Sequence, residues 1–186
     1  MKPTLYRSYV DTPLGKLLII SSRKGLCILD FIERSNTEQI LKKIINAYSK
    51  YETIDATNQH LEIARKWIYN YFNGAFKKLP ELNLDLIGTI FEKRVWKALP
   101  KIQLGSLTTY GKLAHLIGSP LAARAVGGAV GRNPISIIVP CHRVIGALGT
   151  LTGFGSGLYR KKWLLEHEGF NVAGMQPAST VTKQIL

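Results

Sequence analysis

At 186 residues the chain can bury a real core as one domain or two small ones, and 46% hydrophobic with 20% charged residues is the balance of a soluble globular protein. No run approaches the roughly 20 apolar residues that a membrane span needs. The formal charge of +13 is the outlier. It points to an acidic partner, nucleic acid first and an anionic membrane surface second, with scattered surface lysines as the plain alternative.

The charge is uneven. Residues 1–90 hold 13 Lys/Arg against 9 Asp/Glu, and residues 91–186 hold 12 against 3, so the second half is the electrostatic half. The cysteines are Cys27 and Cys141, and the histidines His60, His115, His142 and His167. No Cys-x-x-Cys or His-x-x-x-His pair exists, which argues against a structural zinc site of the usual spacing. Two cysteines make no disulfide framework, and the first residues lack the apolar core of a signal peptide, so a cytoplasmic location is expected.

In chain order, residues 5–10, 16–21 and 26–31 read as three short strands. They are separated by Asp11-Thr12-Pro13-Leu14-Gly15 and Arg23-Lys24-Gly25, both turn chemistries, so a hairpin-linked antiparallel sheet is expected. Cys27 falls inside the third strand, where core packing is its expected role. Ser35 and Glu38 form a capping box ahead of Ile40, Leu41, Ile44, Ile45 and Tyr48 at helical spacing. A second helix is expected over 58–72, with Leu61, Ala64, Ile68, Tyr71 and Phe72 as its buried stripe, ended by Asn73-Gly74. Residues 1–80 make a first subdomain and 81–87 a connection.

Residues 91–99 read as a helix with Phe91, Val95 and Leu99 on one side and Lys93, Arg94 and Lys97 exposed. Residues 110–117 and 121–131 are two short helices around Gly118-Ser119-Pro120. This is the layout of a helix-turn-helix, although a plain helical corner fits equally well. The second of them is rich in small residues, which lets another surface approach closely, and Arg124 is its one long side chain before Arg132. Ile137-Ile138-Val139 is an apolar, strand-like run that stops at Pro140 and presents Cys141 and His142. A buried structural cysteine is the bland reading of that motif. The loop Gly153-Phe154-Gly155-Ser156-Gly157 lacks the spacing of a nucleotide loop and reads as a flexible wall whose N–H groups can approach a planar ligand. Residues 159–167 form a last helix, basic at Arg160, Lys161 and Lys162, with Trp163 and Leu164 packing inward. Glu168 sits at its C-terminal end, where the helix dipole does not favour a carboxylate, so a functional partner is expected. Residues 172–186 read as a tail.

Ile138-Val139-Pro140-Cys141-His142-Arg143-Val144-Ile145 resembles the active-site signature of the O6-alkylguanine-DNA alkyltransferases. Further segments resemble that family in the same order: Gly88-Thr89 with Phe91 and Val95-Trp96, Thr109-Tyr110-Gly111, and Ala122 to Gly127. They are followed by Asn133-Pro134, the glycine-rich loop, and Trp163 to Gly169. The resemblance covers 88–169, with the first subdomain similar only in layout. It implies an α+β fold: an N-terminal three-stranded antiparallel sheet with helices in a ribonuclease-H-like layout, then a mostly helical winged-helix or helix-turn-helix domain over 88–171.

The implied function is repair by irreversible, single-use transfer of an alkyl group from guanine O6 in double-stranded DNA to Cys141, with O4-alkylthymine as a second candidate lesion. His142 would be the general base through a water, with Glu168 orienting it and Asn133 bracing the turn. Tyr110 would contact N3 of the extruded base. The carbonyls of Cys141 and Val144 would accept from its amino group, and the Gly155 N–H would reach O6. Arg124 would fill the stack from the minor groove, with Ala123, Gly127, Gly128, Arg132 and Lys161 also on the DNA side. Phe154 stands where many members have tyrosine, and together with Gly155 and Ser156 it bears on the lesion size that fits. Some members carry a zinc in the first subdomain, and with Cys27 alone this chain cannot build that site. No metal, cofactor or membrane is expected, and the protein is expected to be a monomer, with cooperative assembly on DNA left open. The alternatives are a cysteine hydrolase using Cys141, His142 and Glu168, and a helix-turn-helix DNA-binding module without chemistry.

Overall fold

In the computed structural model, which describes residues 4–34, 37–48, 52–75 and 78–175, the Thr12–Gly15 turn folds β1 (Thr4–Thr12) back onto β2 (Gly15–Ser21). The Thr12 hydroxyl donates to the Gly15 carbonyl at 2.6 Å and accepts from the Leu14 N–H at 3.2 Å. Gly15 takes φ 113°, a conformation that side chains resist. β3 (Leu26–Phe31) pairs antiparallel with β2, as the turn residues led one to expect. A fourth strand, β4 (Glu52–Ile54), was not expected and pairs parallel with β1, giving the order β3-β2-β1-β4. Three residues are too few to display a period of two, so this strand left no readable signal.

Leu17 to Ser21 are all buried, so β2 is covered on both faces. On one face α1 (Thr37–Ala47) adds Ile40 and Ile44 to a cluster with Leu5, Leu18, Ile20, Cys27 and Ile28. Ser35 of the capping box lies outside the described residues. The second helix, α2 (Gln59–Phe72), begins where Asn58 accepts from the Leu61 N–H and sinks Leu61, Ala64, Ile68 and Tyr71 against the strands. Each fully buried aliphatic side chain of this kind contributes about 1.5–3 kcal/mol.

The outer edge of β3 is occupied, which removes an unpaired ladder that could template aggregation. Leu26 exchanges hydrogen bonds with Asn83 and Asp85, at 2.8 Å each. Leu29 donates to the Pro134 carbonyl at 3.0 Å and accepts from the Ser136 N–H at 2.7 Å. Gly25 is required at this edge, because a Cβ there would lie 2.5 Å from the Asn83 carbonyl oxygen. The chain thus divides into Met1–Thr89 with Pro134–Ile138, and Ile90–Asn133 with Val139–Leu186.

The run at 137–139 is not a strand, contrary to the sequence expectation. Ile135 makes one parallel bridge to Leu29, and the backbone then turns twice. Ile137 takes φ 69° while the Ile138 N–H reaches the Ser136 carbonyl at 2.8 Å, which closes a γ-turn of the strained, positive-φ kind. Pro140, at φ −79° and ψ 64°, centres a second γ-turn of the relaxed kind, closed by the Cys141 N–H on the Val139 carbonyl at 2.7 Å. Proline suits it because its ring fixes that φ. A β-branched residue at positive φ costs about 1–3 kcal/mol and persists where its surroundings over-determine it.

In the second unit α3 (Ile90–Ala98) runs into a 3-10 turn (Leu99–Lys101) at Pro100. Next come β5 (Thr108–Thr109), α4 (Tyr110–Leu116), α5 (Ala123–Gly131) and a 3-10 turn (Cys141–Arg143). β6 (Val144–Ile145) and α6 (Leu158–His167) complete the unit. α4 and α5 pack against each other, and β5 pairs parallel with β6. Gly127 and Gly128 each cost α5 about 1 kcal/mol of helix propensity. Burial of Val126, Ala129 and Val130, with the Trp96 indole N–H on the Ala129 carbonyl at 2.8 Å, outweighs that loss. Among the described residues no helix is long and apolar enough to cross a membrane. Residues 176–186 of the expected tail lie outside the described residues.

Candidate active site

Cys141 opens the 3-10 turn that follows Pro140, and it is 4% exposed. Asn133, at the end of α5, donates its side-chain N–H to the Val139 carbonyl at 2.9 Å. That bond ties the helix end to the residue from which the cysteine turn departs.

His142 is buried, and its Nε2 lies 2.8 Å from Glu168 Oε1. The Glu168 side chain is fully buried and also accepts from Arg143, Nε at 2.7 Å and Nη2 at 2.9 Å. The third Arg143 nitrogen donates to the Ile102 carbonyl at 2.7 Å. Burial alone would raise the Glu168 carboxyl, but the His142 and Arg143 hydrogen bonds outweigh it and hold the pKa at about 2. The group is therefore an ionised acceptor. Nε2 must then carry the imidazole proton, which leaves Nδ1 as the basic nitrogen. Nδ1 is buried and has no protein hydrogen-bond partner among the described residues. Burial lowers the His142 pKa, against the pull of Glu168, so the ring is neutral near pH 7 and its lone pair is available.

Tyr110 is the first residue of α4, where Thr109 caps the helix by accepting from the Lys112 N–H. Its hydroxyl lies 3.1 Å from the Thr152 carbonyl and 3.3 Å from that of Gly153. Its ring lies against Gly127 of α5, at 3.7 Å from where a Cβ would stand. Gly127 of α5 thus leaves room for this ring. Burial raises the Tyr110 pKa, and the charge of Cys141 acts in the same direction.

Lys161 corrects the sequence reading. It was expected on the DNA side, but it is fully buried and cannot reach a phosphate. Its Nζ donates to the Val144 carbonyl at 2.5 Å and the Thr152 carbonyl at 2.7 Å, and it stands 6.0 Å from the centre of the Tyr110 ring. Burial pushes the ammonium down to about 8, and the Cys141 charge pulls the other way. Arg160 is buried too, donating to the Ser156 carbonyl at 2.9 Å, and only Lys162 of the three lies exposed. Trp163 is half-buried and stacks on His167, while Leu164 is fully buried.

The exposed face of α5 carries Arg124, with Ala123 half-buried beside it. Gly128 leaves room for the Arg132 guanidinium, which folds back to donate to Glu92 at 2.6 Å. Ser156 is buried, and Phe154 and Gly155 are partly exposed in the loop before α6. Among the described residues no group of three or more His, Cys, Asp or Glu is placed to hold a metal ion.

Residues 90–170 match the family described as 6-O-methylguanine DNA methyltransferase, DNA binding domain, and residues 5–86 match its ribonuclease-like domain. The chain belongs to the O6-methylguanine DNA methyltransferase family. It is 41% identical over 169 residues to the methylated-DNA–protein-cysteine methyltransferase of Salmonella typhimurium, covering 89% of this chain and 96% of that protein. The corresponding Haemophilus influenzae protein is 42% identical over 164 residues, covering 88% and 86%. The crystal structure of Mycobacterium tuberculosis O6-methylguanine methyltransferase superposes with a TM-score of 0.73 at 37% identity, over 97% of this chain and 99% of that one. Mycobacterium tuberculosis OGT in complex with DNA gives the same figures.

Within this methyltransferase fold, two buried groups escaped the sequence reading. Arg143 was read only as part of a motif, yet it shares Glu168 with His142. Lys161 carried a readable signal, because positions 161, 164, 165 and 168 are spaced as one helical face, and Leu164 and Leu165 are fully buried.

Proposed function

We propose that this protein repairs alkylated DNA by taking the alkyl group of O6-alkylguanine onto Cys141 Sγ, once per chain. The observation that carries the reading is His142 Nε2 standing 2.8 Å from the buried Glu168 carboxylate while Nδ1, on the residue next to the cysteine, has no protein partner among the described residues, which makes Nδ1 the base. His142 Nδ1 removes the thiol proton through a bridging water. The thiolate then attacks the alkyl carbon, the C–O6 bond breaks, and its electron pair goes to the guanine. Tyr110 supports the leaving base at N3, and the buried Lys161 ammonium favours the thiolate while fixing the Val144 and Thr152 carbonyls. The Cys141 and Val144 carbonyls accept from the guanine amino group, and the Gly155 N–H reaches O6. The product is a thioether, which water does not reopen, so the chain does not cycle.

The substrate atom is inaccessible inside a duplex, so the nucleotide must be extruded, at a cost of a few kcal/mol. Arg124, exposed on α5, enters from the minor groove and fills the gap. Ala123, Gly127, Gly128 and Arg132 belong to the same face, and the net basic charge supplies phosphate contacts. A cytoplasmic or nucleoid location accords with this work.

Mass spectrometry after mixing with a duplex carrying O6-methylguanine tests the reading. The Cys141 peptide is expected to gain one methyl per chain, and Cys141→Ala should bind the duplex without removing the lesion. An unmodified Cys141 peptide, or many turnovers per chain as a cysteine hydrolase would give, rejects it. Arg124→Ala is expected to weaken lesion capture by roughly ten- to a hundredfold, the scale of one lost stacking contact. A fluorescent base analogue opposite or beside the lesion reads this, and unchanged flipping removes the role.

A further inference from the structure

Arg143 has no task in the chemistry proposed above, yet it is buried and each nitrogen of its guanidinium is bonded. Nε and Nη2 donate to the Glu168 carboxylate at 2.7 and 2.9 Å, and Nη1 donates to the Ile102 carbonyl at 2.7 Å. Ile102 follows directly on the 3-10 turn at Leu99–Lys101, so the guanidinium is anchored to the backbone as well as to the carboxylate. All of these groups belong to the second unit, as do Cys141 and His142.

A carboxylate held at one point can swing about its last side-chain torsion. The two bonds from Arg143 set the plane of Glu168 and leave Oε1 at 2.8 Å from His142 Nε2. Glu168 also needs a counter-charge, because its side chain is fully buried and it closes α6, where the helix dipole does not favour an anion. With no cation on the carboxylate, the His142 ring is the group that supplies one, by taking a second proton. That proton goes to Nδ1, and a base is of use only while it is unprotonated. Burial has the largest effect on the His142 pKa and lowers it, Glu168 pulls it up, and the Arg143 and Lys161 charges push it down. Lys161 acts from α6 and spends its bonds on the Val144 and Thr152 carbonyls, and Tyr110 of α4 is bonded to the Thr152 carbonyl. Arg143 is bonded to Glu168 itself.

We propose that Arg143 is a positioning residue for the alkyl transfer: its fork aims Glu168 at His142 Nε2 and answers the charge of the carboxylate, so that Nδ1 stays open for the Cys141 proton. This rests on the repair reading above. Its effect is on the rate of transfer and on the pH profile of that rate, not on DNA affinity.

The experiment measures single-turnover transfer from an O6-methylguanine duplex at saturating DNA, from pH 4 to pH 9, with folding checked by circular dichroism at each pH. Affinity for unmodified duplex is measured alongside. A wild type that transfers nothing rejects the repair reading and this proposal with it. Given wild-type transfer, the rate is expected to rise with pH to a plateau as His142 loses its proton. Arg143→Met should move the midpoint of that rise upward by about one pH unit or more, with unchanged DNA affinity. Nitrogen NMR of the His142 ring should find the second proton arriving on Nδ1 at a correspondingly higher pH. Arg143→Lys keeps the charge but holds the carboxylate at one point, so its midpoint should stay with the wild type while its plateau falls about tenfold. If Arg143→Met does not fold, the Arg143→Lys plateau decides. An Arg143→Met midpoint equal to that of the wild type overturns the proposal, as does an Arg143→Lys plateau within twofold of wild type.

Discussion

Glu168→Gln is expected to lose about 3–5 kcal/mol of folding stability and nearly all alkyl transfer, the largest combined effect of any single change in the second unit. The carboxylate accepts from His142 Nε2 and from two nitrogens of Arg143, with its side chain fully buried. An amide of the same shape offers one oxygen and one NH2. It leaves the Arg143 cation uncompensated in a dry site and sets at least one donor against another. If the NH2 faces Nε2, the imidazole must move its proton to Nδ1, and the base proposed for Cys141 is gone. Thermal melting and single-turnover transfer check the two halves separately.

The same carboxylate sets an acid limit. Its folded pKa of about 2 lies below the ordinary 4.5. The folded state therefore binds the proton less readily than the unfolded state does. The stability it contributes is present in full above pH 4.5 and is lost as pH falls toward 2. In Glu168→Gln that part of the acid transition should vanish. Melting curves of the two proteins from pH 6 down to pH 3 should converge, and a constant gap would show that Glu168 is not the titrating group.

How much of this was readable beforehand depended on whether a signal was local. The turn at 11–15 and the Asn73-Gly74 stop are chemistries of adjacent residues, and the elements they bound fell where expected. Cys141, His142 and Glu168 were legible as residue types, the last because a carboxylate at the end of a helix needs a reason. The double γ-turn was not. Ile137-Ile138-Val139 has the composition of a strand, and Ile137 takes its positive φ next to a Ser136 that is bonded to Leu29 and Asp30, over a hundred positions away in sequence. Charged residues on an apolar face were also not read: Lys161 was placed on the DNA side, and Glu92 was given no place at all. Glu92 lies at helical spacing with Val95, Trp96 and Leu99, and it is buried for the same reason as Lys161. Reading a helix by its apolar residues alone leaves such a charge on the surface, although its spacing places it inside.

Lys161→Met is expected to separate activity from stability: transfer slower by at least about tenfold, with the folding free energy at pH 7 changed by no more than about 1 kcal/mol. Two opposed effects produce the small stability change. The ammonium is fully buried and burial depresses its pKa to about 8, so holding it charged at pH 7 costs stability, and an apolar side chain of similar length removes that cost. Against this, the Val144 and Thr152 carbonyls lose their shared donor. Transfer has no such compensation, because the positive charge acting on Cys141 disappears and the two carbonyls are no longer held. The pH dependence identifies the charge as the cause. With a folded pKa below the ordinary lysine value of 10.5, the unfolded chain binds more protons between pH 8 and 10.5, so wild-type stability gains from rising pH in that window while Lys161→Met does not. Chemical denaturation at pH 7 and pH 10 should show the wild type gaining relative to the variant. A variant that transfers at the wild-type rate would mean that this buried cation serves packing alone.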